Sequence, residues 1–157
     1  QDDNRWNYGF DPGRGMKGIL VDSNIILDIF TKDTQWMDWS KNMLGLYHAT
    51  HTLLINSIIY SEVSIRFESV EELEGALQIG GFQMRSIPKE ALFLAGKAFL
   101  AYRKRGRTRR SPLPDFFIGA HAAIERMPLL TRDASRYRTD FPTLKLISPE
   151  GDEPAEW

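Results

Sequence analysis

GILVDSNIILDIFT, residues 18–31, changes its apolar spacing halfway along. Gly18-Ile19-Leu20-Val21 is a short apolar run of the kind a buried strand uses, and it ends at Asp22. From Asn24 to Thr31 the spacing becomes helical, with Ile25, Ile26, Ile29 and Phe30 on one face. The same alternation continues downstream. Helices are predicted over Gln35 to His48, Ile58 to Phe67, Val70 to Leu77 and Lys89 to Lys104, and from Pro114-Asp115 to Glu125. Strands are predicted over Thr52 to Asn56, Phe82 to Ile87, Leu129 to Thr131 and Leu144 to Ile147. Strands and helices alternating at these lengths predict an α/β fold in three layers. A central, mostly parallel sheet is covered by helices on both faces, with right-handed crossovers.

The chain has 157 residues, of which 42% are hydrophobic and 26% charged, the composition of an ordinary globular domain. Disorder and low-complexity arrays are excluded for its bulk. The absence of cysteine excludes disulfide scaffolds, thiolate zinc sites, iron–sulfur clusters and thiol nucleophiles. No apolar run approaches the roughly 18 residues of a membrane span, and no secretory leader pattern opens the chain, so a cytoplasmic location is expected. A net charge of −1 excludes nucleic-acid binding through overall charge, but 20 basic and 21 acidic residues leave room for a locally basic surface. Residues 1–15 lack the periodicity of the rest and precede Met16, so three segments are expected: an extension over 1–15, a folded domain over 16–149 and a polar tail over 150–157.

Four acids stand where chemistry is expected. In open parallel α/β sheets, ligands bind at the carboxyl ends of the strands. Asp22 ends the first strand, Asp133 follows the fourth, and Asp115 opens a helix on the same rim. Each alone is equally the acid of a helix N-terminus. Glu62 shares a helix flank with Ile58, Ile59 and Ile65, where a carboxylate needs a cation or a proton; Arg66, four residues on, is one source. Taken together, four carboxylates repel one another and suit a hard divalent cation, Mg2+ or Mn2+, of the kind that assists phosphodiester hydrolysis.

Immediately before Asp115 runs a basic segment, Arg103, Lys104, Arg105, Arg107, Arg109 and Arg110, six cations in eight residues. Such a run either grips phosphates or forms a solvated helix end. The three histidines, His48, His51 and His121, have no zinc spacing, and His121 reads as packed. Gly80-Gly81 is a turn without the remainder of a phosphate loop. Trp36, Trp39 and Met43 read as core or as a protein-binding surface.

VDSNIILD at 21–28, Ser61-Glu62-Val63, PLPDFFIGAHA at 112–122 and LLTRDASRYRTDFP at 129–142 resemble PIN-domain ribonucleases, in particular VapC-type toxins of toxin–antitoxin pairs. The resemblance runs from Met16 to about Pro149. It implies that Asp22, Glu62, Asp115 and Asp133 form the catalytic, metal-binding acidic cluster, supported by Asn24 and Thr131. It further implies dependence on Mg2+ or Mn2+, cleavage of RNA, a homodimer and a cognate antitoxin. In the resembled family, antitoxin tails dock through aromatic residues and an arginine. Trp6, Tyr8, Phe10, Arg5 and Arg14 give the extension those ingredients. The alternatives are a non-catalytic RNA- or partner-binding module of the same fold, and a haloacid-dehalogenase-like phosphatase. The phosphatase wants a second Asp two residues after the first, where this chain has Asn24.

Overall fold

In the computed structural model, which describes residues 16–106 and 113–149, strand β1 (Lys17–Val21) passes into helix α1 (Ser23–Phe30) through Asp22 alone. Asp22 keeps an extended backbone, and its Oδ1 accepts a hydrogen bond from the Ser23 N–H at 2.8 Å. This acid therefore ends the strand and caps the helix at once. The extension over 1–15, the tail over 150–157, and Arg107, Arg109 and Arg110 lie outside the described residues.

The chain divides after Ser86 into two compact units. In the first, α2 (Met37–His48), β2 (His51–Ile55), α3 (Ser57–Ser64), α4 (Val70–Ile79) and β3 (Gln83–Met84) follow α1. β1 pairs in parallel with β2, from Lys17 opposite His51 to Leu20 opposite Leu54, and β2 pairs in parallel with β3. Three consecutive residues at the end of each long strand are buried: Ile19 to Val21 and Leu53 to Ile55. Burial on both faces is what helix-covered parallel strands require. Ile25 and Ile26 of α1, Ile59 and Val63 of α3, and Leu73 and Leu77 of α4 complete this core.

Polar side chains punctuate the unit. Asn56, fully buried, caps α3 by accepting from the Ile59 N–H at 3.0 Å. Asp33 Oδ1 accepts from the N–H groups of Gln35 and Trp36, a local turn that holds off α2 until Met37. The Ser64 hydroxyl donates to the Ser61 carbonyl at 2.6 Å, and α3 stops there, short of the expected Phe67. The strand expected over 82–87 shrinks to Gln83–Met84. Arg85 still donates to the Ile55 carbonyl at 2.8 Å, but Pro88 lies just beyond and has no N–H to extend a ladder.

The second unit holds α5 (Lys89–Lys104), α6 (Leu113–Ile124), β4 (Leu129–Leu130), α7 (Ser135–Arg138) and β5 (Leu146–Ile147). β4 and β5 pair in parallel. The one-turn helix α7 has no counterpart among the expected elements. It forms because Tyr137, fully buried, and Phe141 pack against α6 at Gly119. A Cβ at Gly119 would lie 2.5 Å from two ring carbons of Phe141 and 3.1 Å from Tyr137, so only glycine admits both rings. Phe116 joins them, its ring 6.2 Å from that of Phe141 and 5.3 Å from that of Phe99 on α5.

These observations give opposite signs for two glycine substitutions. Gly119→Ala overpacks the α6–α7 contact and lowers unfolding free energy by about 1–3 kcal/mol. Gly75→Ala, on α4 with nothing within 4 Å of the new Cβ, raises it by up to about 1 kcal/mol. Loss of the Asn56 cap in Asn56→Ala costs about 1–2 kcal/mol. Urea unfolding of the three variants measures all three.

Candidate active site

In the first unit, two of the expected acids meet through a residue the sequence reading passed over. Asp22 is buried at the carboxyl end of β1, and Glu62 is half-buried on α3 beside Val63. The Ser23 hydroxyl lies between them, 3.1 Å from Glu62 Oε1 and 3.5 Å from Asp22 Oδ1. A hydroxyl carries one proton, and the shorter contact takes it. Ser23 thus donates its N–H to Asp22 and its O–H to Glu62. Its signal in the sequence is its place at the first helical position after a strand-ending acid. Asn24, half-buried, follows in the first turn of α1.

In the second unit, Asp115 lies in the first turn of α6, where the helix dipole favours a negative charge, and is 5% exposed. Asp133 lies just past β4. Buried Thr131 accepts from the Asp133 N–H at 3.1 Å, and the Ser135 hydroxyl donates to Asp133 Oδ1 at 3.0 Å. Thr131 therefore fixes the backbone of the acid and Ser135 its carboxylate. Arg136 brings the two acids together: its Nε is 2.6 Å from Asp133 Oδ2 and its Nη1 is 3.7 Å from Asp115 Oδ2.

The four expected acids are thus held as two pairs, one within each unit. Among the described residues, no group of three His, Cys, Asp or Glu side chains is close enough to hold a metal ion. The donors nonetheless fit a hard cation in kind, being carboxylate and hydroxyl oxygens. The Arg136 guanidinium already places a positive charge against Asp115 and Asp133.

Of the basic run, Arg105 forms an ion pair with Asp140, and the Arg103 guanidinium lies 5.9 Å from the centre of the Phe99 ring. Both have partners within the chain. Lys104 is exposed. His121 is fully buried, with Nε2 2.8 Å from Glu125 Oε2, which makes it an interior residue as expected. An apolar groove of about 460 Å³ in the first unit is lined by Ile26, Ile29, Phe30, Leu44, Ile79 and Phe82. Ile79 is 91% exposed on it. Among the described residues no helix is long and apolar enough to cross a membrane.

Several solved structures share the fold. VapBC2 from Rickettsia felis, bound to a DNA fragment from its promoter, has 21% identity and a TM-score of 0.66, over 83% of this chain and 97% of that one. DNA-bound VapBC from Salmonella typhimurium has 18% identity and a TM-score of 0.63, over 85% and 98%. VapBC-1 from nontypeable Haemophilus influenzae has 16% identity and a TM-score of 0.64, over 83% and 96%. At these identities the likeness is one of fold: the three-layer α/β arrangement expected from the alternating elements. No curated protein sequence matches the chain. A model of the PIN domain, however, matches residues 19–142, most of the length and all four acids, and the chain belongs to the PIN-domain family.

Proposed function

We propose that this chain is a metal-dependent endoribonuclease, the toxin of a toxin–antitoxin pair, hydrolysing RNA phosphodiester bonds with Mg2+ or Mn2+. The observation that carries the reading is the arrangement of the acids in a PIN-family chain. Each lies at the end of a strand or on a neighbouring helix, and the chain's own hydroxyls or guanidinium hold them in pairs. Asp22, Glu62, Asp115 and Asp133 are the residues that would hold the cation. When bound, a divalent cation lowers the pKa of an attacking water and stabilises charge developing on the phosphate.

The remaining work belongs to the protein. Ser23 keeps the Glu62 carboxylate aimed at the Asp22 side, and Thr131 and Ser135 lock Asp133. Asn24 supports the site by hydrogen bonding. RNA is gripped by the basic run of Arg103, Lys104, Arg105, Arg107, Arg109 and Arg110. The apolar groove beside Phe30 and Ile79 takes an apolar segment of the antitoxin, which would cover the almost fully exposed Ile79. The fold is shared with chains of VapBC complexes, which supports such a partner. A homodimer and a cytoplasmic location belong to the same reading.

Incubation with total cellular RNA and Mg2+ or Mn2+, with every new 5′ end mapped, tests the activity directly; discrete cuts are expected. Asp22→Asn and Asp115→Asn abolish them without loss of melting temperature. Asn caps a helix as well as Asp does, so α1 is preserved. Near wild-type cleavage by either variant overturns the nuclease reading.

Ser23→Ala leaves all four carboxylates in place and removes only the hydroxyl that aims Glu62. Mn2+ affinity by calorimetry falls about tenfold to a hundredfold. Changing Arg107 and Arg109 together to Gln lowers the slope of log affinity for RNA against log salt by about two, with Mn2+ affinity unchanged.

A further inference from the structure

Arg136 faces two of the site's acids, and its surroundings fix its backbone while leaving its side chain half-exposed. It sits on α7, whose Tyr137 is fully buried against α6 at Gly119. Its side chain is 49% exposed, whereas the Asp115 side chain it faces is 6% exposed. A buried carboxylate needs a compensating charge. A divalent cation at the same carboxylates would neutralise the pair completely and leave the guanidinium without a role there.

We propose that Arg136 exchanges partners during the reaction: it is the counter-ion of Asp115 and Asp133 before metal loading, and the ligand of a substrate phosphate after it. The inference rests on the nuclease reading above. A long, half-exposed side chain on an anchored turn reaches either partner by rotating its own torsions, with no movement of α7. A guanidinium offers the same planar pair of donors to a phosphate as to a carboxylate. Arg136 therefore competes with the cation for the acids and, once released, adds a positive charge beside the carboxylates, where an anionic substrate must bind.

The two roles give opposite signs in one variant. In Arg136→Gln, Mn2+ binding by calorimetry tightens about two- to fivefold, the scale of a half-exposed ion pair. RNA binding is read at saturating Mn2+ with a hydrolysis-resistant RNA analogue, so that substrate is not consumed and all four acids stay in place. There Arg136→Gln weakens affinity and lowers the salt slope by about one. Arg136→Lys, which keeps the charge but loses the paired donors, retains the salt slope. A purely structural role weakens both kinds of binding together and overturns the proposal. Unchanged Mn2+ affinity also overturns it, as does tighter Mn2+ binding with an unchanged RNA salt slope. If the wild-type chain binds no Mn2+, or Asp22→Asn still cleaves RNA, the nuclease reading falls and takes this inference with it.

Discussion

Like charges held close together are the constraint on which the candidate site depends. Each unit brings two carboxylates near one another, and each meets the cost differently. In the first, the neutral Ser23 hydroxyl lies between Asp22 and Glu62 and donates to Glu62, while the Ser23 N–H donates to Asp22. In the second, a full positive charge faces Asp133 and Asp115, and the Thr131 and Ser135 hydroxyls orient Asp133. The hydroxyl adds no charge to the first pair, and the guanidinium cancels part of the second pair's. Both solutions preserve the carboxylates as oxygen donors.

The apolar framework makes these pairs possible. Three consecutive buried residues at the end of β1 carry Asp22 to the strand's rim, and the helix begins on the next residue. On α6, Asp115 and Gly119 are four residues apart and so share a face. The missing side chain at Gly119 admits Tyr137 and Phe141, and the turn they anchor carries Arg136 to Asp115. A packing requirement one helical turn away thus sets an electrostatic contact.

Charge elsewhere on the chain divides between structure and recognition. Arg105 is committed to Asp140, and Arg103 lies over Phe99, at the end of α5. Asp28, 2% exposed, accepts from the Ser40 hydroxyl at 2.7 Å and ties α1 to α2. Buried His121, in contact with the half-buried Glu125, closes the end of α6. Tyr60, which donates to Glu74 at 3.0 Å, has its pKa raised by partial burial and by that carboxylate, and so stays a donor through the neutral range. These contacts tie elements together within each unit.

The sequence by itself determined the order of the elements other than α7, the strand-ending place of Asp22, the helix-opening place of Asp115 and the packed character of His121. Each follows from local periodicity or local capping, which operate within a few residues and leave a visible pattern. The acids were legible for the same reason, and their family motifs are contiguous. Only the tertiary structure decided how the acids are held. Ser23 bridges to Glu62 across 39 residues of sequence, and Arg136 reaches Asp115 across a turn that exists only because two rings close on Gly119. It also cut the third strand to two residues and paired Arg105 with Asp140. A side chain's partner depends on packing between distant segments, and periodicity carries no information about that.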